Sequence, residues 1–301
     1  MTEDQLYTEL FARLPSPPED VVVPPGDDCA AIRTGGERVL LLAVDQIVGG
    51  RHYYENGPDA ASPEEVAHKL LARNLSDIAA MGGTPRHALV AISQHCGPDW
   101  LRQFYDGLIT SAQEYDVYPI GGDWATSGKE NICSLTIIGD VAEDVLVRRS
   151  GAEPGDCLFA TGVFGQSLTS GHHLAFTPRC TEGRWLAENA FPKAMIDVSD
   201  GLVLDAGRLC AASDVAVGID AAKIPRRTSN TTDSQALSDG EDYELLFAVD
   251  PGKVQKLKAT WPFNELNLTK IGVFKRADSP QVTDISGGPL NIASTGYDHL
   301  Q

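Results

Sequence analysis

The chain lacks the features that would place it in a membrane or direct it out of the cell. No segment approaches the roughly 20 unbroken apolar residues of a membrane-spanning helix. The first residues, Met1 to Asp4, are acidic where an export signal would be basic. The cysteines never form a CxxC pair or a Cys–His cluster with zinc-like spacing. We therefore expect a cytoplasmic protein with reduced, mostly buried thiols at Cys29, Cys96, Cys133, Cys157, Cys180 and Cys210.

Basic residues are also scarce. The chain has 24 Lys and Arg against 42 Asp and Glu, which gives a formal net charge of −18. No basic patch is visible along the sequence to reverse that balance locally. Such a charge repels nucleic acid and anionic membranes, so we expect neither as a partner.

The length of 301 residues is sufficient for two domains of ordinary size. The turn-rich segment "RRSGAEPGD" follows a predicted strand and precedes a new strand–turn–helix unit. We therefore predict one domain over residues 1–145 and a second over residues 146–301.

Apolar periodicity predicts helices and strands in both parts. The segment "SPEEVAHKLLARNLSDIAAMGG" predicts a long helix, with Ser62 as its cap, Pro63 in its first turn and Glu65 completing a capping box. Further helices are predicted at "EDQLYTELFARL", "DWLRQFYDGLITSAQEYD", "GQSLTSGHHLAF" and "GLVLDAGRLCAAS". Strands are predicted at "RVLLLAVDQIV", "HALVAISQH", "VYPIGGD", "ICSLTIIGDVAED", "CLFATG", "AMID", "VAVGID" and "YELLFAV".

Aspartates recur at the junctions between these elements. Taken singly, each fits a turn or a helix cap, where Asp is an ordinary residue. Asp45 and Asp77, however, fall inside apolar runs, where burial of an unpaired carboxylate is costly. A divalent cation would offset that cost, and an all-oxygen ligand set suits Mg²⁺. The acidic residues at these junctions are Asp27, Asp28, Asp45, Asp77, Asp123, Asp197, Asp200, Asp239, Glu241 and Asp242.

Mg²⁺ commonly bridges to phosphates, yet the usual nucleotide-binding motifs are missing. The sequence has no GxxxxGK[ST] loop, no GxGxxG between a strand and a helix, and no HRD or DFG set. The glycine-rich "TGVFGQS" contains no lysine, which favours a plain strand-to-helix connection. The common kinase folds are therefore disfavoured.

Eight short segments nevertheless resemble one family over nearly the whole chain. Their order and approximate spacing are similar to those of the thiamine-monophosphate kinase family, within the superfamily that includes aminoimidazole ribonucleotide synthetase. The segments are "GDDCAAI", "VDQIVGGRHY", "ARNLSDIAAMGGTP", "IGGD", "RRSGAEPGD", "IDVSDGL", "GEDYELLF" and the terminal "GYDHL".

This resemblance implies an N-terminal α/β domain and a C-terminal α+β domain. The N-terminal sheet would form a barrel with that of a second subunit, which makes the protein a homodimer. ATP and several Mg²⁺ ions would lie between the domains, and ATP would phosphorylate thiamine phosphate to thiamine diphosphate. The attacking phosphate oxygen is already ionised near neutral pH, so no general base is implied. The metal ions would neutralise repulsion between the two anions.

The resemblance also implies the roles of individual residues. ATP would contact the backbone of Gly122, Asp123, the Arg149 side chain and the Ser199 hydroxyl. Thiamine phosphate would face His52, Glu241 and Tyr297. The implied metal ligands are Asp28, Asp45, Asp77, Asp123, Asp197 and Asp200.

Two further aspartate assignments come from the local sequence rather than from the family. Asp200 precedes a helical segment and, taken alone, is a plausible N-cap. Asp205 lies one turn further along that segment, and we expect it to be a surface residue.

The sequence departs from the family pattern at three places. Ala43 and Val44 stand where a Ser/Thr-Thr pair is usual, and Ser294 stands where an aromatic residue is usual. The segment "WATSG" follows "GGD" in place of Thr-Thr-Arg-Gly. Two alternatives therefore stay open: another ATP-using synthetase of the superfamily, which would use a different acceptor, or a non-catalytic relative that binds nucleotide and Mg²⁺ without turnover.

Overall fold

The strands of the protein form two separate sheets. The computed structural model describes residues 1–292 and 294–297. Within these residues, the first sheet is built from strands between Val21 and Ala142, and the second from strands between Cys157 and Asp284. The domain boundary expected at residue 145 falls between the two sheets and stays a prediction.

The first sheet has the strand order β1-β2-β3-β6-β4-β5. Strands β4 and β5 are parallel, and the other neighbours are antiparallel. Its strands are β1 (Val21–Val23), β2 (Ala30–Arg33), β3 (Arg38–Val48), β4 (Thr84–Gln94), β5 (Tyr118–Thr126) and β6 (Ile132–Ala142). The helices of this part are α1 (Glu3–Phe11), α2 (Pro63–Ala80) and α3 (Pro98–Glu114).

Helix α2 begins and ends where its sequence predicts. The Ser62 hydroxyl accepts a hydrogen bond from the Glu65 N–H at 3.2 Å, and the Glu65 carboxylate accepts one from the Ser62 N–H at 2.8 Å. Gly82, with φ of 69°, follows its end. Apolar residues of α2 and α3 pack with alternate residues of β3, β4 and β6 to form the core of this part.

The second sheet has the strand order β12-β9-β11-β7-β10-β8. Only β12 and β9 are parallel neighbours among its described strands. These strands are β7 (Cys157–Thr161), β8 (Pro192–Asp197), β9 (Ala216–Ile219), β10 (Leu245–Val249), β11 (Leu268–Lys275) and β12 (Gln281–Asp284). The helices of this part are α4 (His172–Ala175), α5 (Cys180–Glu188), α6 (Leu202–Ser213), α7 (Asp233–Ser238) and α8 (Val254–Thr260).

The helix predicted at "GQSLTSGHHLAF" is wrong for most of its length, because only the four residues of α4 are helical. The segment before α4 is a loop in which Gly165 and Gln166 have positive φ values. The Gln166 N–H donates to Asp239 at 2.8 Å, and the Ser167 hydroxyl donates to the Glu241 carbonyl at 2.5 Å. These bonds to a distant loop replace the intrahelical bonds that the local pattern predicts.

Within residues 1–292 and 294–297, no helix combines the length and apolar character needed to cross a membrane. Cys29, Cys133, Cys157 and Cys210 are buried, while Cys96 is exposed. The expectation that most thiols are buried is therefore confirmed. The expected cytoplasmic location stays a prediction.

Helix α2 also packs against the second part of the chain, where it contacts α5 and β8. The approach of α5 is close at Gly183, because a Cβ atom there would lie 2.1 Å from the Ala79 carbonyl oxygen. The absence of a side chain at Gly183 therefore sets how closely the two parts pack.

Replacing Gly183 by Ala should lower the free energy of unfolding by about 1–3 kcal/mol, because the added methyl group overlaps the backbone of α2. The matched control is Gly207→Ala in α6, where the nearest atom to an added Cβ is 3.8 Å away. This control should be neutral or stabilising by about 0.5–1 kcal/mol. Chemical denaturation of both variants measures the difference, and equal effects would contradict the close packing described.

Candidate active site

Three acidic side chains from different elements converge where the two parts of the chain meet. Asp28 lies in the loop between β1 and β2, Asp77 lies in α2, and Asp197 ends β8. One carboxylate oxygen from each lies within 4.8 Å of the others. We call these three residues the carboxylate cluster.

Burial and repulsion from neighbouring carboxylates make ionisation of Asp77 and Asp197 unfavourable. Burial raises the pKa of Asp77 well above its ordinary value, and the charges of Asp45, Asp197 and Asp28 raise it further. Burial also raises the pKa of Asp197, although the Ser76 hydroxyl donates to its Oδ2 at 2.6 Å and opposes that change. A positive charge placed among the three carboxylates would stabilise their ionised forms.

The donor set fits a hard divalent cation. The Oδ1 atom of Asp28 accepts hydrogen bonds from the Arg149 guanidinium at 2.6 and 3.2 Å, but its buried Oδ2 has no hydrogen-bond partner within the described part of the chain. Mg²⁺ holds oxygen ligands at about 2.1 Å, so ligand oxygens around one ion lie up to about 4.2 Å apart. The carboxylate oxygens of the cluster, which all lie within 4.8 Å of one another, would need only a small movement to hold one ion.

The other aspartates predicted as ligands lie outside the carboxylate cluster. Asp45 in β3 faces Arg73, with 3.4 Å between Nε and Oδ2. Asp123 is exposed on β5 and pairs with Ala91, which is also exposed. Asp200 forms an ion pair of 2.6 Å with Arg208. The metal-binding roles of these residues stay predictions.

Two expectations about the segment that follows Asp197 are wrong. Gly201 occupies the N-cap position of α6, so Asp200 does not cap this helix. Asp205 is buried rather than exposed, and its Oδ2 accepts hydrogen bonds from the N–H groups of Ser199, Asp200 and Gly201 at 3.0–3.2 Å. These N–H groups, at the start of α6 and in the loop before it, have no partner within the helix. The Asp205 carboxylate therefore turns inward to accept their hydrogen bonds and holds the Ser199–Gly201 loop in place.

A cavity of about 450 Å³ brings together most of the residues predicted to bind substrate. His52 and Glu241 line it, as do Ser199 and Tyr297. Its wall also includes Asp200, Arg51, Arg73 and Tyr243, of which the last three were not predicted from the sequence. Residues 298–301, which complete the terminal "GYDHL" motif, lie outside the described residues.

His52 is held as a neutral imidazole. Its Nδ1 accepts a hydrogen bond from the Val48 N–H at 2.9 Å. Burial and then the positive charge of Arg73 lower the pKa of His52 to about 4. The ring is therefore uncharged near neutral pH, with its proton on Nε2.

A buried lysine that the sequence analysis missed holds Glu241. The side chain of Lys69 in α2 has no exposed surface, and its Nζ lies 2.6 Å from Glu241 Oε1. Nζ also donates to the His52 carbonyl at 2.5 Å and to His173 Nδ1 at 2.8 Å. Burial lowers the pKa of Lys69 to about 8, so the ammonium is still charged near neutral pH. In the sequence, Lys69 lies next to the apolar residues of α2, and a charged residue at that position could have indicated a buried ion pair.

The residues predicted to bind ATP are distributed over both parts of the chain. Gly122 lies in β5, and a Cβ atom there would be 2.0 Å from the Val90 carbonyl oxygen, so strand packing alone requires glycine. Arg149 bonds to Asp28 through its guanidinium, and its N–H donates to the Asp27 carboxylate at 3.1 Å. Burial and then the charge of Asp28 raise the pKa of Asp27 to about 6.

Mg²⁺ should raise the midpoint of thermal unfolding, because an ion held by the carboxylate cluster binds only the folded chain. The rise should be larger at pH 8 than at pH 5, since the raised carboxyl pKa values of Asp77 and Asp197 make protons compete with the metal at low pH. Asp77→Asn should reduce the rise, and the exposed Asp106→Asn should not. Melting curves with and without MgCl₂ measure these effects, and equal rises in all three proteins would contradict the site.

Comparison with known proteins agrees with the resemblance seen in the sequence. Residues 26–141 match the family model of the AIR synthase related protein, N-terminal domain. The thiamine-monophosphate kinase of Salmonella typhimurium is 33% identical over 99% of this chain and 98% of that protein. The thiamine-monophosphate kinase of Rhodopirellula baltica is 34% identical over 85% of this chain and 86% of that protein. The solved structure of AaThiL complexed with AMPPCP and TMP has a TM-score of 0.82 at 26% identity, covering 99% of this chain and 97% of that one. The chain therefore belongs to the thiamine-monophosphate kinase family.

Proposed function

We propose that the protein transfers the γ-phosphoryl group of ATP to thiamine phosphate and releases ADP and thiamine diphosphate. The carboxylate cluster carries this proposal, because its buried, mutually repelling carboxylates fit the metal that such a transfer needs. The cavity offers room for the acceptor next to the Asp197–Asp200 loop. The AaThiL complex with AMPPCP and TMP supports the same pair of substrates.

The predicted Mg²⁺ ions would be held by the carboxylate cluster, with Asp45, Asp123 and Asp200 as further ligands. Bound Mg²⁺ lowers the repulsion between the ATP phosphates and the incoming anion. Arg149, whose guanidinium lies beside Asp28, would contact the ATP phosphates, and Gly122, Asp123 and Ser199 would complete the nucleotide site.

The cavity residues would position thiamine phosphate. Thiamine carries a cationic thiazolium ring and an aminopyrimidine, both of which suit the carboxylate that Glu241 presents to the cavity. The neutral His52 ring and the Tyr297 side chain provide further contacts with the rings. The acceptor oxygen is already ionised, so no side chain needs to remove a proton.

The test is a coupled assay of ADP release together with detection of thiamine diphosphate. Activity is expected with thiamine phosphate and absent with unphosphorylated thiamine. Activity only with a different acceptor would favour another synthetase of the superfamily. Nucleotide binding without turnover would favour the non-catalytic alternative, and either result would overturn the proposal.

Asp77→Asn should reduce kcat/KM for thiamine phosphate by at least about 100-fold, because it removes one carboxylate of the proposed metal site. The exposed Asp106→Asn, which makes the same chemical change on α3, should retain wild-type activity. Circular dichroism checks that both variants fold. Full activity of a folded Asp77→Asn variant would show that this carboxylate is only structural.

We further propose that the protein is a homodimer joined through the first sheet. Val44 and Leu89 both pair with Thr136, so they lie on one face of the sheet, and they are 67% and 40% exposed. Tyr118 lies on the same face through its pairing with His87 and is 70% exposed. Exposed apolar side chains grouped in this way are typical of a surface that a partner covers, which agrees with the expected barrel.

Leu89→Asp should therefore shift the protein from dimer to monomer, because it places a charge on the proposed interface. Ile109→Asp, at an exposed apolar residue of α3, is the matched control and should stay dimeric. Light scattering coupled to size-exclusion chromatography measures the mass of each. A wild-type monomer, or a Leu89→Asp variant that stays dimeric, would contradict this interface.

A further inference from the structure

Arg73 faces Asp45, one of the carboxylates predicted to bind metal, and also lines the cavity. Arg73 belongs to α2, one helical turn before Asp77, and its side chain is only 13% exposed. On one side it faces the carboxylate of Asp45, and on the other it lines the cavity together with Glu241 and Tyr243. It is therefore a buried cation where the two proposed substrates would meet.

Arg73 is bonded to its carboxylate partner less closely than several arginines of similar burial are to theirs. Arg149, Arg208 and Arg227 each reach a carboxylate at 2.6 Å. The two contacts of Arg73 with Asp45 measure 3.4 and 3.5 Å, and the ion-pair contact from its buried Nε is not a hydrogen bond. Among the described residues, this Nε has no hydrogen-bond partner. A guanidinium has five N–H donors, and a well-formed bond to a carboxylate is about 2.7–2.9 Å long. Arg73 therefore has donors that the protein leaves unused.

The cavity needs a positive charge if it is to hold an anion. Asp200, Asp239 and Glu241 all line it, and their charges would repel a phosphate group. Burial tends to lower the pKa of Arg73, but the charges of Asp45, Tyr243, Glu241 and Asp77 together raise it above its ordinary value, so the guanidinium stays charged. Arg51 is a second guanidinium in the same wall.

We propose that Arg73 is a catalytic residue that binds the phosphate group of the acceptor substrate. The flat guanidinium matches two phosphate oxygens at once, which a lysine ammonium cannot do. Arg73 would hold two oxygens of thiamine phosphate while a third forms the new bond to the γ-phosphorus of ATP. The bond from that phosphorus to the β–γ bridging oxygen breaks, and ADP leaves with the electron pair.

This inference rests on the proposed function for the identity of the acceptor. It adds that the chain itself, and not only bound metal, offsets the charge of the acceptor phosphate. Loss of Arg73 should therefore weaken the binding of thiamine phosphate but not that of thiamine, because thiamine has no phosphate group for Arg73 to contact.

Isothermal titration calorimetry with thiamine phosphate and with thiamine, both in MgCl₂, tests the contact. Arg73→Met keeps much of the side-chain length but removes the charge, and it should weaken thiamine phosphate binding by about 10- to 100-fold. Thiamine binding should stay unchanged. Arg73→Lys should bind thiamine phosphate more tightly than Arg73→Met but less tightly than the wild type, because it keeps the charge without the planar guanidinium. The exposed Arg102→Met in α3 is the control and should bind both ligands like the wild type.

Steady-state kinetics with the same variants provides the second measurement. KM for thiamine phosphate should rise and kcat should fall in Arg73→Met, while KM for ATP stays within a factor of about two of the wild-type value. Equal weakening of thiamine and thiamine phosphate would assign Arg73 a purely structural role and overturn the inference. Unchanged binding of thiamine phosphate would overturn it as well. If Arg73→Met does not fold, Arg73→Lys decides by the same criteria.

The failure of this inference can be distinguished from that of the proposed function. A wild-type protein that releases no ADP with thiamine phosphate disproves the function. Titration with inorganic phosphate then tests the anion site without any assumption about the acceptor. Loss of phosphate binding in Arg73→Met would support the site, and equal binding in both proteins would overturn it.

Discussion

The structure depends on repulsion among carboxylates that the fold forces together. Asp28, Asp77 and Asp197 come from three elements and are held in a place where water has little access. Two ionised carboxylates about 4 Å apart repel by roughly 4 kcal/mol at an effective dielectric constant of about 20. The bonds from Arg149 and Ser76 compensate only part of this repulsion. A cation bound by these carboxylates would therefore also stabilise the fold.

Helix α2 contributes several of the polar side chains around the carboxylate cluster and the cavity. Arg73, Ser76 and Asp77 lie four, seven and eight residues after Lys69, which places them on one side of the helix. Lys69 contacts Glu241, and Ser76 contacts Asp197, so the same helix connects both parts of the chain. The helix thus contributes Arg73 to the cavity wall, holds the cavity residue Glu241 through Lys69, and supplies the Asp77 carboxylate to the proposed metal site.

The charges around the cavity suit different parts of one ligand. The neutral His52, the Lys69–Glu241 pair and Tyr297 suit a cationic, aromatic ligand without requiring proton transfer. Arg73 and Arg51 give the same cavity a positive wall for an anion. A ligand that carries a positive ring at one end and a phosphate at the other matches this distribution, as thiamine phosphate does.

The sequence by itself determined those helices and strands that form through interactions between neighbouring residues. The capping box of α2 and the bounds of β3 follow from neighbours within a few residues, and both were predicted. The family motifs also indicated the cavity residues His52, Ser199, Asp200, Glu241 and Tyr297, because each motif marks a junction between elements. The sequence could not show that Asp205 turns inward or that residues 165–171 form a loop, because their partners come from other turns of the chain. Only the tertiary structure brought Arg73 to the cavity and Lys69 to the cavity residue Glu241, since their charges are tolerated inside the protein only where distant carboxylates meet them.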